Sequence, residues 1–531
     1  MSVQINARYE GIIDRMLELA SSRTPWHRRL WRGGTVQLAV ELLDDCIRPG
    51  TPKSAVDDQR NRLSQSLRTD HGITARGVPL LPTLQQIDAG LTSGSHTWIV
   101  LREQVRRMGE DYLSNWADAF DTPPANFPID TEGAARRITA HLFDSGMDKS
   151  SVYTWLRDAH EQRTAPVTIG DLLREMDQRL KAPEKDFEFC VPLLSPQRIP
   201  DPTAWPRGWM SPGDTTRWKK RFAAAAPPIR HQGSLLLIVQ ARDVNAAAER
   251  ARSGLATLAS KFQLISDHHL ASAPTMWSRH TGSTFPTIAT NRLITARAFG
   301  RLDRVHDMAM PDFITSAVAL MQPLRTGAPH IAVMSGWSAI ESLLVGADDA
   351  RDIVAAGRFS LIVAASMVRA EFNWLANSYA SANTSPTATS IQGAADSLAR
   401  GQLFQQHAAG NTAIHFNDEV DRLALTRVRP LLKNPRAELE RIAGILTHEF
   451  TRLYRKRNMI AHNGRVHDPN LSSIAHTMAP LIGAGVDQII YAGLKTGTPP
   501  IELSAIAQAR LSLLTPATMT SAGNALELLD I

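Results

Sequence analysis

The chain has 531 residues, 43% of them hydrophobic and 21% charged. That is room for two or three domains with proper cores, and too apolar for a disordered chain. Two cysteines, Cys46 and Cys190, exclude a disulfide framework and a cysteine-based zinc site, and fit a reducing compartment. A formal net charge of +6 with a pI near 9.4 permits nucleic-acid binding without requiring it, so the distribution of charge says more than its total.

From the N-terminus, Arg8, Glu10, Asp14, Arg15 and Glu18 come too early for a secretory leader. The most apolar stretches, Ile353–Val368 and Ile474–Leu494, are interrupted by Arg358 and by His476 and Asp487. Neither reaches the uncharged length of a membrane span, and a cytoplasmic protein without membrane contact is expected. Residues 1–182 read as a helical domain. Tyr9, Ile12, Ile13, Met16, Leu17 and Leu19 begin one amphipathic helix, and Val36–Leu43 form another. Two helical runs within 133–163 meet at Asp144-Ser145-Gly146, either as a plain hairpin or as a helix-turn-helix with Lys149–Arg157 as the recognition helix.

A small α/β element is expected over 183–305. Phe187–Leu194 reads as a strand, 195–233 as a long loop or linker, and Ser234–Gln240 as a buried strand leading into a helix over Val244–Phe262. Its strand-to-helix turn, Ala241-Arg242-Asp243, lacks the glycines of a phosphate cradle. The remainder, 306–531, is expected to be a helical domain, with a flexible Ser/Thr/Ala-rich loop at Ser378–Ser390.

Within that last part, Leu439, Ile442, Leu446, Phe450, Leu453 and Ile460 recur every three or four residues, as on one face of a helix. Arg457 falls in phase with the stripe, where an apolar residue would be expected, and a guanidinium buried there needs a partner. His462 follows five residues later, and Asn463-Gly464 is a stop signal. Residues five apart on a helix diverge by about 140°, so His462 reaches Arg457 only if the last turn frays. Asn458, four before His462, shares its face and is placed to orient the ring. Arg452, Arg455, Lys456 and Arg465 surround this pair, with no acid until Asp468, and are expected to attract a phosphate backbone. The same Arg-x4-His spacing recurs at Arg136/His141, Arg301/His306 and Arg325/His330, so it is the context that singles out the fourth copy.

Arg457-Asn458-x3-His462 followed by Asn463-Gly464 resembles the R-x4-6-H signature of HEPN domains. Gly336–Leu344, with Glu341 at the acidic position, is similar to the earlier helix of that family. The resemblance covers roughly residues 310–530. It implies an α-helical bundle that works as a homodimer and cleaves RNA without metal or other cofactor, leaving a 2′,3′-cyclic phosphate. Arg457, His462 and Asn458 would be catalytic, Glu341 supporting, and Arg452, Arg455, Lys456 and Arg465 would bind RNA. It further implies a toxin or anti-phage role, with an antitoxin or a phage-derived trigger as partner. Other chemistries find less support. The set His462, His467 and Asp468 matches no usual metal spacing, and Ser338 lacks the strand and second glycine of a nucleophile elbow. A non-catalytic nucleic-acid-binding regulator or dimerising scaffold is the alternative from a different class. The fold class expected is mainly α, with a HEPN-like helical bundle following a helical N-terminal region and the small α/β element.

Overall fold

The computed structural model describes residues 11–48, 51–74, 91–123, 128–161, 168–195, 208–265, 269–288, 292, 294–410, 414–466, 468, 470–514 and 525–530. The protein is mainly helical with one small antiparallel sheet. The chain divides into two compact units, one formed by residues 1–21 and 32–290, the other by 22–31 and 291–531.

The first unit holds α1 (Ile12–Ala20), α2 (Thr35–Cys46), α3 (Lys53–Leu67), α4 (His71–Thr74), α5 (His96–Asp121), α6 (Thr131–Asp144), α7 (Lys149–Glu161) and α8 (Ile169–Lys181). Helix starts are written locally. The Ser95 and Asp130 side chains accept from the amides of Trp98 and Gly133, and Thr168 with Asp171 forms a capping box. The sheet has the order β2-β3-β1-β4-β5, from β1 (Lys185–Pro192), β2 (Trp209–Met210), β3 (Ser234–Ala241), β4 (Thr275–Ser278) and β5 (Thr284–Pro286). Because strand side chains alternate between faces, Phe187, Phe189, Val191, Leu235 and Leu237 pack on one side with α10 (Val244–Ile265). Cys190 and Leu236 pack on the other with Trp218 of α9 (Pro212–Phe222).

Three sequence expectations are corrected in this region. β3 is half-buried rather than buried, with Ile238 60% exposed, because an antiparallel sheet covers its two faces unequally. Within 195–233 lies the regular helix α9, started by the Ser211 side chain on the Asp214 amide with Pro212 in its first turn. That signature is legible in Ser-Pro-Gly-Asp and was outweighed by the surrounding prolines. Third, the helical region and the α/β element share one unit. Asp243, at the end of β3, accepts the Asp148 amide at 2.9 Å and the Ser151 hydroxyl at 2.7 Å, and Arg242 donates to the Ala182 carbonyl at 2.6 Å. The first turn of α7 is thereby engaged inside the protein. This is how a packed hairpin behaves, whereas a recognition helix presents its N-terminal residues to a groove.

The second unit contains α11 (Ala298–Arg301), α12 (Asp312–Thr326), α13 (Pro329–Leu344), α14 (Val354–Ala382), α15 (Pro386–Gln392), α16 (Ser397–Gly410), α17 (Glu419–Lys433), α18 (Pro435–Asn463), α19 (Leu471–Thr496) and α20 (Pro500–Leu513). One continuous core joins them, built around α14, whose buried residues extend around most of its circumference. Gly485 lets α19 approach α14 closely, since a Cβ there would lie 2.3 Å from the Phe359 ring. The expected flexible loop at Ser378–Ser390 is instead the last turn of α14 followed by the start of α15. Ser385 accepts the Ala388 amide, and Tyr379, Ala380, Ala388 and Ile391 are buried. Burial of these small apolar residues overrides their loop-like composition. Among the described residues no helix is long and apolar enough to cross a membrane.

Candidate functional site

Helix α18 begins where Asn434 caps the Ala437 amide and Pro435 occupies the first turn. Its stripe is buried as expected, with Leu439, Leu446, Phe450 and Leu453 at most 1% exposed. Phe450 meets Phe359 of α14 edge-on at 5.0 Å, and Tyr454 meets Trp337 of α13 at 4.8 Å. The second contact sets α13 against α18 one turn before the polar pair of interest.

That pair is Arg457 and Glu341. The Arg457 Nη2 donates to Glu341 Oε2 at 3.3 Å and Nη1 to Asn458 Oδ1 at 2.9 Å. The two charged side chains are 23% and 25% exposed, so the guanidinium is half out of water yet reachable from it. Its Nε is buried and has no hydrogen-bond partner. A carboxylate on a neighbouring helix resolves how an arginine stands in an apolar stripe: the charge is met at the edge of the core.

His462 is exposed and lies in the last turn of α18, which stays helical through Asn463. Gly464 closes it at φ 62°, its amide donating to the Ile460 carbonyl at 3.1 Å and that of Arg465 to Met459 at 3.5 Å. The expectation of a frayed end is therefore corrected: the left-handed glycine satisfies the final carbonyls and keeps the turn regular. Within one chain His462 and Arg457 point to different faces, and no hydrogen bond joins His462 to Arg457 or to Asn458 among the described residues. Asn458 serves the guanidinium, not the imidazole.

The basic cluster divides as well. Arg455 is half-buried and Arg465 exposed. Arg452 and Lys456 are each 4% exposed, which removes them from any phosphate-binding surface. Arg452 Nη1 lies 3.6 Å from Glu449 Oε2, and Lys456 Nζ 2.7 Å from Asp468 Oδ2. The other Asp468 oxygen accepts the Asn470 amide just before α19. The physical reason is that α18 packs against α13, α14, α17, α19 and α20. A helix surrounded in that way has little solvated face left. Glu449 and Tyr454 are the residues here that pattern reading left out, and the pairing of Asp468 with Lys456 was not read either. Asp468 alone carried a signal, as the acid before Pro469-Asn470 and a new helix.

The decoy histidines have other surroundings. His141 is buried against the Tyr112 ring at 4.3 Å, and burial pushes its pKa down to about 3. Arg301 is paired with Asp487 at 2.7 Å, and His306 is exposed. His467, a member of the weighed metal set, lies outside the described residues. Among those described, no group of three or more His, Cys, Asp or Glu gathers as metal ligands would. The thiol of Cys190 is pushed up to about 12, first by burial, which leaves it without nucleophilic character. No family model matches the chain, and no curated protein or solved structure matches it either.

Proposed function

We propose that the C-terminal unit is a metal-independent endoribonuclease of the HEPN type. The observation that carries this reading is the partly exposed Arg457 guanidinium, held by Glu341 and Asn458 on the helix that ends in the exposed His462. In the reaction, His462 takes the proton of an RNA 2′-hydroxyl, or gives one to the leaving 5′-oxygen. The 2′-oxygen forms a bond to phosphorus, the P–O5′ bond breaks, and the products are a 2′,3′-cyclic phosphate and a 5′-hydroxyl. Arg457 stabilises the charge gathering on the phosphate through its planar fork. The two groups diverge on one helix, which favours a cleft shared by two copies, each supplying one histidine. Arg455 and Arg465 steer the RNA backbone toward it. A toxin or anti-phage role, checked by an antitoxin or released by a phage-derived trigger, is the biological setting proposed.

A second reading rests on the same geometry. The tie of Arg457 to Glu341, with His462 apart from both, also suits a dimerising scaffold without chemistry. Incubation of purified protein with total RNA in EDTA separates them. Cyclic-phosphate ends, lost by about 10²–10⁴ in rate in a folded His462→Ala protein, support the enzyme. Intact RNA under the same conditions supports the scaffold.

A further inference from the structure

Ten residues near the N-terminus, 22–31, belong to the C-terminal unit, although the chain on both sides of them belongs to the other. Within this segment the Arg29 guanidinium donates to the carbonyls of Thr24 (2.6 Å) and Ser22 (2.5 Å), and Trp26–Arg28 form a short helical turn. Trp31 is a member of the C-terminal core and Trp26 packs against it.

At the centre is Arg28, whose side chain is 1% exposed. Its Nε donates to Glu371 Oε1 at 2.8 Å, Nη2 lies 2.6 Å from the same oxygen, and Nη1 donates to Asp421 Oδ1 at 2.5 Å. Its Cζ lies 5.3 Å from the Trp374 ring centroid. Trp374 Nε1 in turn donates to Asp421 at 3.2 Å, and the Ser378 hydroxyl donates to the second Asp421 oxygen. His27 Nε2 is 3.8 Å from Glu371. Glu371 is therefore ionised in the interior. Burial would raise its pKa, yet Arg28, His27 and Arg427 hold it down to about 2.

Glu371 sits on α14 and Asp421 on α17, two helices of one unit, and the guanidinium bridging them comes from some 340 positions earlier, 343 before Glu371. Two buried carboxylates without that guanidinium are costly, since each charge would lose the cation that bridges them in a medium that solvates it poorly. The residues that need Arg28 are thus built into the unit that does not carry it in sequence.

We infer that residues 22–31 form a strap that completes the C-terminal unit from outside its continuous stretch of sequence. The C-terminal unit is fully packed only while Arg28 is seated between Glu371 and Asp421, so a pull on the strap acts on α14 and α17. Because α14 packs on α18 through Phe359 and Phe450, that pull reaches the helix bearing Arg457. The coupling holds whatever chemistry the C-terminal unit performs.

Hydrogen exchange on the full-length chain tests this with two variants. In Arg28→Ala, amides of 22–31, of α14 around Glu371 and of α17 around Asp421 should exchange about 10²–10³-fold faster, the factor that loss of one partner of a buried pair gives. Should that variant unfold, Arg28→Ala/Glu371→Gln/Asp421→Asn removes both carboxylates together with the guanidinium that bridges them. There the strap alone should lose protection while α14, α17 and α18 keep theirs. A strap that stays protected in the neutral variant overturns the inference, as does an Arg28→Ala protein in which α14 and α17 keep wild-type protection.

Discussion

At the scale of single residues, the candidate chemistry rests on Arg457, and what holds it distinguishes it from its basic neighbours. Lysine at 457 keeps the charge but loses the fork that meets Glu341 and, in the proposed reaction, the phosphate. Arg457→Lys should therefore slow cleavage by about 10²–10³ with nearly unchanged RNA affinity, read from single-turnover rates and binding isotherms. Arg465→Ala should instead weaken binding and flatten its salt dependence. Identical behaviour of the two variants would reduce Arg457 to one charge in a patch. A second residue prediction concerns His141, which stays neutral in the fold, its pKa near 3 because it is buried. Its folded value lies below the unfolded one, near 6.5, so between those pH values the unfolded chain binds more protons. Stability is whole above pH 6.5 and falls as pH is lowered through that window, by at most about 1.4 kcal/mol per unit. His141→Phe, which preserves the packing on Tyr112, should remove that slope in urea melts at several pH values. Comparison with wild type isolates it from Asp70, whose pKa burial raises and whose linkage has the opposite sign. An unchanged slope would show that His141 is not the group responsible.

At the scale of elements, the end of α18 decides where His462 stands. Gly464 takes φ 62°, a left-handed conformation in which a Cβ meets its own carbonyl. Nothing surrounds the Cβ position there, so Gly464→Ala is a purely conformational change. It should cost about 1–2 kcal/mol in the transition of the C-terminal unit and loosen the turn bearing His462. No shift in the denaturation midpoint would mean that the chain leaves α18 by another path. At this scale much was legible from sequence. The period of Leu439, Leu446, Phe450 and Leu453 announces α18, and the alternating residues of Phe187–Val191 announce β1. Helix α9 and the turn from α14 to α15 were obscured, because proline, serine and threonine read as loop until their neighbours are buried.

At the scale of the whole molecule, a dimeric site is the feature of the proposed function most exposed to test. One chain offers a single His462, facing away from its own Arg457. If two copies share a cleft, adding excess His462→Ala protein to wild type should inhibit beyond dilution, and specific activity should fall on dilution below the dimer's dissociation constant. Strict proportionality to wild-type protein, with a monomer in sedimentation, would refute the shared site. The strap at 22–31 adds a separate constraint, since the chain enters the second unit twice. A cut or deletion designed on a single boundary near residue 290 would strip Arg28 from Glu371 and Asp421.

The sequence by itself determined the strongly patterned elements, such as α18 and β1, because backbone hydrogen bonding and one-sided burial leave a period of 3.6 or 2 in a stretch of about ten residues. It also placed Arg457 on the packed face of α18, since phase along one helix is a local property. Only the tertiary structure decided which charges are surface and which are counter-ions. Arg452 and Lys456 looked like a solvated basic run, yet Glu449 and Asp468 meet them in the interior. Glu341 reaches Arg457 across 116 positions and Arg28 reaches Glu371 across 343. Such pairings follow from which helices pack together, and helix packing depends on the shape of entire faces rather than on any spacing along the chain.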